Sequence, residues 1–115
     1  MKADFVEGDM LIARIQGCFE SGKVFYSWHA RCEMEEEGRG EILDQEVCEA
    51  VLTGEVIESY PNDVPYPSCL IYGRTRRGRP IHAVCAYSKS DGLTIVITTY
   101  EPDPDKWIDL RRRKG

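Results

Sequence analysis

Apolar and polar positions alternate most clearly between Pro67 and Tyr100. Three short runs rich in Ile, Val and Tyr lie there, Ser68–Gly73, Pro80–Tyr87 and Leu93–Tyr100. They are separated by Arg74-Thr-Arg-Arg-Gly-Arg79 and by Ser88-Lys-Ser-Asp-Gly92. Short β-branched runs bounded by Gly, Ser, Asp and Arg predict three antiparallel strands joined by tight turns. Glu55–Tyr60 predicts a strand before them, followed by a loop with three prolines in seven residues, Pro61 to Pro67, which regular structure cannot accommodate.

Upstream the period changes. Phe5, Ile12, Ile15 and Phe19, with Leu11 beside them, recur at helical spacing and predict a helix over Asp4–Glu20. Val24, Phe25, Tyr26 and Trp28 predict a short extended entry. Ser27 is the expected cap of a helix over His29–Glu37, with Ala30 and Met34 on its buried face. Asp44 is the expected cap of a helix over Gln45–Thr53, with Leu43, Val47, Ala50 and Val51 lining one face and Gly54 as a left-handed stop. Helices followed by four antiparallel strands give an α+β, two-layer architecture, N-terminal helices on a four-stranded antiparallel sheet. The domain boundaries read from this are 1–22 for an N-terminal helix, 23–110 for the α+β domain and 111–115 for a basic tail.

Composition changes this picture little, and charge changes it more. With 115 residues, 42% hydrophobic and 30% charged, the chain is sized for one folded domain. No apolar run is long enough to cross a bilayer, and the first residues lack the apolar core of a signal peptide, so a cytoplasmic location with no membrane partner is expected. The net charge of -5 argues against a protein that merely coats nucleic acid. Its distribution is uneven: Arg74, Arg76, Arg77 and Arg79 crowd one turn, and Arg111-Arg-Arg-Lys114 adds four cations. Either run serves as a basic face or as a solvated turn or tail. Five cysteines at 18, 32, 48, 69 and 85 form no Cys-x-x-Cys pair. Reduced, core-filling thiols are expected, with no metal or cofactor.

Several motifs, spread over roughly residues 23–110, together carry a resemblance: His29-Ala with Glu33-Met34 and Gly38, Gly54-Glu-Val-Ile-Glu58, Tyr60-Pro-Asn-Asp-Val-Pro-Tyr-Pro-Ser68, Gly78-Arg-Pro-Ile-His82, and Thr98-Thr-Tyr-Glu-Pro-Asp103 with Trp107. The chain resembles the bacterial and archaeal domain-of-unknown-function family four-two-five-eight. That family in turn looks related to the RelE and MqsR toxins, small mRNA endoribonucleases, and its members are often encoded beside a YgiT-type zinc-finger antitoxin. Many members carry arginine where this chain has Glu33 and Glu37. The resemblance implies a toxin-like fold, metal-independent RNA cleavage, and mRNA and such an antitoxin as partners, with oligomerisation left open.

RNA cleavage without a metal needs groups that move protons and cations that hold phosphate charge. His29 and His82 are the only histidines, and an imidazole titrates near neutrality. Each is a candidate for proton transfer or, alternatively, a structural histidine satisfied by a backbone carbonyl. If Ile81, Ala83 and Cys85 face the helices, strand alternation would turn His82, Val84 and Ala86 outward, onto the surface the arginines border. Tyr100, ending the last strand, is the third catalytic candidate, or else a rim aromatic. Arg74, Arg76, Arg77 and Arg79 are the RNA-binding candidates, Arg77 and Arg79 foremost because a guanidinium grips two oxygens. Tyr60 and Tyr87 are weaker candidates for base stacking. The rival function is a catalytically inert module that binds a zinc-finger antitoxin-like protein.

Overall fold

Side chains that alternate along the strands sort onto two different surfaces, and the fold follows from what covers each. The computed structural model describes residues 3–115, with side chains from Met10 onward. Its elements are α1 (Ala3–Ser21), β1 (Val24–Tyr26), α2 (Trp28–Glu36), α3 (Asp44–Leu52), β2 (Glu55–Tyr60), β3 (Ser68–Arg74), β4 (Pro80–Ser88), β5 (Leu93–Tyr100), β6 (Trp107–Ile108) and β7 (Arg112–Arg113). Strands β2 to β5 form an antiparallel meander, and β1 adds to the far side of β5 in parallel, giving the order β1-β5-β4-β3-β2.

The architecture is therefore α+β as expected, but the sheet is mixed and five-stranded rather than four-stranded and antiparallel. The extended entry at residues 24–26 is the fifth strand. Its parallel partner lies about seventy residues away along the chain, a pairing that local alternation does not reveal. A separate two-stranded sheet, β6 with β7, takes up Arg112 and Arg113 from the stretch expected as a tail.

One sheet face is covered by the helices. Ile15 and Phe19 of α1, Ala30 and Met34 of α2, and Val47, Ala50 and Val51 of α3 pack with Ile71, Ile81, Ala83, Cys85 and Val96 in a single core. Phe5, assigned to the same stripe of α1, lies outside the described side chains. Ser27 caps α2 as expected, its Oγ accepting from Ala30 N at 3.0 Å. At α3 the cap position falls one residue earlier, on Leu43, whose N–H donates to Glu46 Oε1 at 3.0 Å. Asp44 instead accepts from the Arg31 guanidinium at 2.5 and 3.1 Å.

Gly54 does not adopt the left-handed conformation. Its reason for being glycine is proximity, since a Cβ there would lie 2.7 Å from the Ala50 carbonyl oxygen. Gly73 is still more constrained, with a hypothetical Cβ 1.8 Å from that same oxygen. The last turn of α3 thus sits directly on the backbone of β3, and only hydrogen fits between them. Gly73→Ala should cost at least about 2 kcal/mol of stability, because backbone rather than a yielding side chain must move; a urea midpoint unchanged from the parent protein would contradict this packing.

Candidate functional site

The second sheet face carries the chemistry. In β3–β4 register Tyr72 lies opposite His82, and in β4–β5 register His82 lies opposite Tyr100. Alternation puts all three on the face away from the helices, with Val84 and Leu70 one step along. On β2 the same face holds Glu58, opposite Leu70, and Tyr60, opposite Ser68.

The β6–β7 hairpin roofs this face. Trp107, 5% exposed, meets the His82 ring edge-on at a centroid distance of 4.5 Å, and Tyr72 and Tyr100 flank the ring at 5.7 and 5.4 Å. Arg113 binds Glu58 through Nε at 2.9 Å and Nη2 at 3.2 Å, while Arg111 binds Glu55 at 2.6 Å and lies over the Tyr72 ring. The turn between the two strands places Asp109 and Leu110 at φ 54° and 62°, the left-handed region that side chains disfavour. That turn aims the Leu110 carbonyl at His82.

His82 is wholly buried, and its two ring nitrogens have distinct partners. Nε2 lies 2.7 Å from the Leu110 carbonyl oxygen, which can only accept, so Nε2 carries the proton. Nδ1 of the neutral ring is then an acceptor and faces the Tyr100 hydroxyl at 3.3 Å. Burial lowers the His82 pKa, against the opposing pull of the Leu110 carbonyl and Glu58. Burial likewise raises that of Tyr100 to about 12. At neutral pH the pair is an uncharged hydroxyl donating to an uncharged imidazole. Tyr60 donates to Glu58 at 2.5 Å. Although burial opposes it, the Arg113 and Tyr60 hydrogen bonds hold the Glu58 carboxyl below its usual range.

Tyr100 also borders a cavity of about 450 Å³ lined by Trp107, Arg113, Lys106 and Lys114 and by two acids, Glu101 and Asp103. Of the hydroxyl–imidazole pair, Tyr100 is the member that lines this cavity, while His82 stays buried behind it.

His82 and Tyr100 are thus brought together, and the other expected site residues are not. His29 sits at the exposed start of α2 with Nε2 3.4 Å from Glu33 Oε2. Glu33 in turn accepts from Thr98 Oγ1 and from Thr99 N, the latter at 3.1 Å, and Glu37 accepts from Glu101 N at 3.2 Å. Glu33 of α2 and Glu37 just past its end therefore satisfy the edge of β5 and the residue that follows it, beyond the end of β1. The arginine turn is largely committed to its own fold. Arg79 binds Glu101 at 2.8 Å, Glu46 at 3.1 Å and the carbonyls of Gly40 and Glu41 at 2.5 and 3.0 Å. Arg74 donates to Gly78 O at 2.8 Å, and Arg76 pairs with Glu49. Arg77 is exposed and makes no ion pair among the described residues. Tyr87 packs against the helix-side core, on the opposite face from Tyr100.

Glu58 and Lys106 were not singled out from the sequence as site residues, and Arg113 and Lys114 entered only as part of a basic run that was either a face or a solvated tail. The i, i+2 spacing of Glu58 and Tyr60 was the available signal for the first. For the cations, nothing local shows that the chain turns back after Asp109. Among the described residues, no group of three His, Cys, Asp or Glu side chains could hold a metal, and no helix is long and apolar enough to cross a membrane.

An α+β domain with a buried, carbonyl-oriented histidine behind a tyrosine hydroxyl is the class that fold and site define. The chain belongs to the family described as Domain of unknown function (DUF4258), whose model matches residues 26–101. That span runs from the end of β1 to just past Tyr100, and includes Glu58, Tyr60, His82 and Tyr100 but not the β6–β7 hairpin. No curated protein and no solved structure matches the chain.

The depressed pKa of His82 makes a signed prediction. The unfolded ring takes up a proton near pH 6.5, whereas the folded ring resists until lower pH, so the unfolded state binds more protons in that window and stability falls with acidification. Between about pH 7 and pH 5 the wild type should lose more stability than His82→Gln, read as urea midpoints at each pH; parallel declines would show that this ring does not titrate between the two states.

Proposed function

We propose that the domain is a metal-independent endoribonuclease of the toxin kind, with Tyr100 and His82 as its proton-transfer pair. The observation that carries this is the three-membered order of Leu110 carbonyl, His82 imidazole and Tyr100 hydroxyl, opening on a solvent-connected cavity. An orienting acceptor behind a base behind a hydroxyl is the general arrangement by which proteins ready a hydroxyl for proton transfer. The 2′-hydroxyl of a bound ribose gives its proton to the Tyr100 oxygen as Tyr100 passes its own to His82 Nδ1. The freed 2′-oxygen attacks phosphorus, the bond to the 5′-oxygen breaks, and that oxygen takes a proton from water; the hydroxide left behind recovers the proton held on His82 through Tyr100, which restores the resting pair. The products are a 2′,3′-cyclic phosphate and a 5′-hydroxyl end. The Leu110 carbonyl and the Glu58 carboxylate offset part of the cost of the transient imidazolium. His29 has no part in this scheme, nor do the paired arginines of the β3–β4 turn.

A second reading is favoured by a different observation. Phe25 and Trp28 are 57% and 83% exposed beside the outer edge of β1. Exposed aromatics at an open strand edge suit a protein partner that adds a strand, such as the zinc-finger antitoxin implied by the family resemblance.

In EDTA the purified protein should cleave a long mRNA, free or on ribosomes, to products ending in 2′,3′-cyclic phosphate. Tyr100→Phe, which removes one oxygen, should slow cleavage by about a hundredfold or more with little change in the melting midpoint. A protein inert toward both RNA forms would leave the binding module as the standing reading.

A further inference from the structure

The cavity beside Tyr100 is electrostatically asymmetric in a way that the basic turn is not. Its two acids are already engaged from behind: Glu101 pairs with Arg79 at 2.8 Å, and Asp103 faces Arg39 at 3.8 Å. Arg113 is held by Glu58. Lys106 and Lys114 are exposed and make no ion pair among the described residues, and they are fixed side by side because Lys114 N donates to the Lys106 carbonyl at 3.0 Å. Two unengaged ammonium groups, a guanidinium and a phenol thus border one hollow of about 450 Å³. A phosphodiester carries one negative charge, and its oxygens accept from such donors.

We infer that the RNA backbone is held by the β6–β7 hairpin, through Lys106 and Lys114 with Arg113 behind them, rather than by the arginine turn between β3 and β4. The inference rests on the nuclease reading for the identity of the ligand, but it concerns binding and stands on different residues. The hairpin lies outside the span matched by the family model, so this binding surface is read from the chain's own geometry. Geometry also explains why the turn is excluded. Arg79 is consumed by four groups and Arg74 bonds its own turn, whereas Arg76, 83% exposed and 3.8 Å from Glu49, and Arg77 stay open to solvent on a turn that does not line the cavity beside Tyr100.

The test uses a single-stranded oligoribonucleotide methylated at every 2′-oxygen, which cannot be cleaved, with binding read by fluorescence anisotropy across a salt series. In the double variant Lys106→Gln/Lys114→Gln, affinity at low salt should fall about tenfold or more. The slope of log K against log salt should become shallower by about 1.4, from two lost phosphate contacts at roughly 0.7 each on a single strand. The double variant Arg76→Gln/Arg77→Gln, which removes the two solvent-exposed cations of the turn, should keep both affinity and slope. Both lysines are exposed, so the variant should melt as the parent does, which thermal unfolding verifies. Equal losses in the two variants, loss only in the turn variant, or no binding by the wild type would each overturn the inference. Cleavage of unmodified RNA separates it from the nuclease reading: hairpin-dependent binding without cleavage sinks the reading alone, and cleavage with unaltered binding in the hairpin variant sinks the inference alone.

Discussion

The hydrogen bond from His82 Nε2 to the Leu110 carbonyl is the contact on which the second face of the sheet depends. It joins the centre of β4 to a turn near the end of the chain, and it satisfies both a buried ring N–H and a backbone oxygen that would otherwise be costly to bury. It also decides the tautomer, and so decides that Nδ1 meets Tyr100 as an acceptor. Trp107 stacks edge-on against the same ring, and the Arg111–Glu55 and Arg113–Glu58 pairs tether the hairpin at its far strand. Exposed pairs of this kind contribute little individually, so the buried ring and indole hold the hairpin and the ion pairs set its register.

The arginine turn illustrates how a run of like charge in sequence can be a set of separate bonds in space. Arg79 connects four otherwise independent pieces: the loop before α3, α3 itself, the end of β5 and its own turn. An acidic chain offers many such acceptors, and each guanidinium that finds one is removed from the pool able to meet an outside anion. The net charge of -5 is thus expressed inside the fold as well as on its surface.

Much of the fold was legible because its signals are local. The β3–β5 meander, α2 with its Ser27 cap, and α3 with its stripe of Val47, Ala50 and Val51 are all set by spacing of two or of three to four residues, whereas Leu43, expected on that stripe, is the cap position and lies 54% exposed. Which side of the sheet His82 takes was legible for the same reason, since Ile81, Ala83 and Cys85 alternate with it, but its burial was not: the ring expected on an outward surface is covered by Trp107 and the Leu110 carbonyl. What escaped was non-local. The pairing of β1 with β5 joins residues 24–26 to 94–96, and the return of residues 112–113 onto 107–108 passes through two left-handed residues, Asp109 and Leu110, neither of them the glycine or asparagine that marks such a turn. His29 was paired with His82 by residue type alone, while space assigns it to Glu33. Gly54 was legible as a constraint but not as the right one: closeness to Ala50, rather than a left-handed backbone, requires it.

The parallel attachment of β1 has a consequence for the order in which the chain assembles. Strands β3, β4 and β5 can zip from their own turns, each step closing a short loop. By contrast β1 has nothing to bind until β5 is in place, and docking it closes a loop of about seventy residues whose entropic cost grows with length. Strand β1 and the leading helix that precedes it should therefore be the last pieces recruited, and the first to leave when the domain is heated or pulled from its amino end.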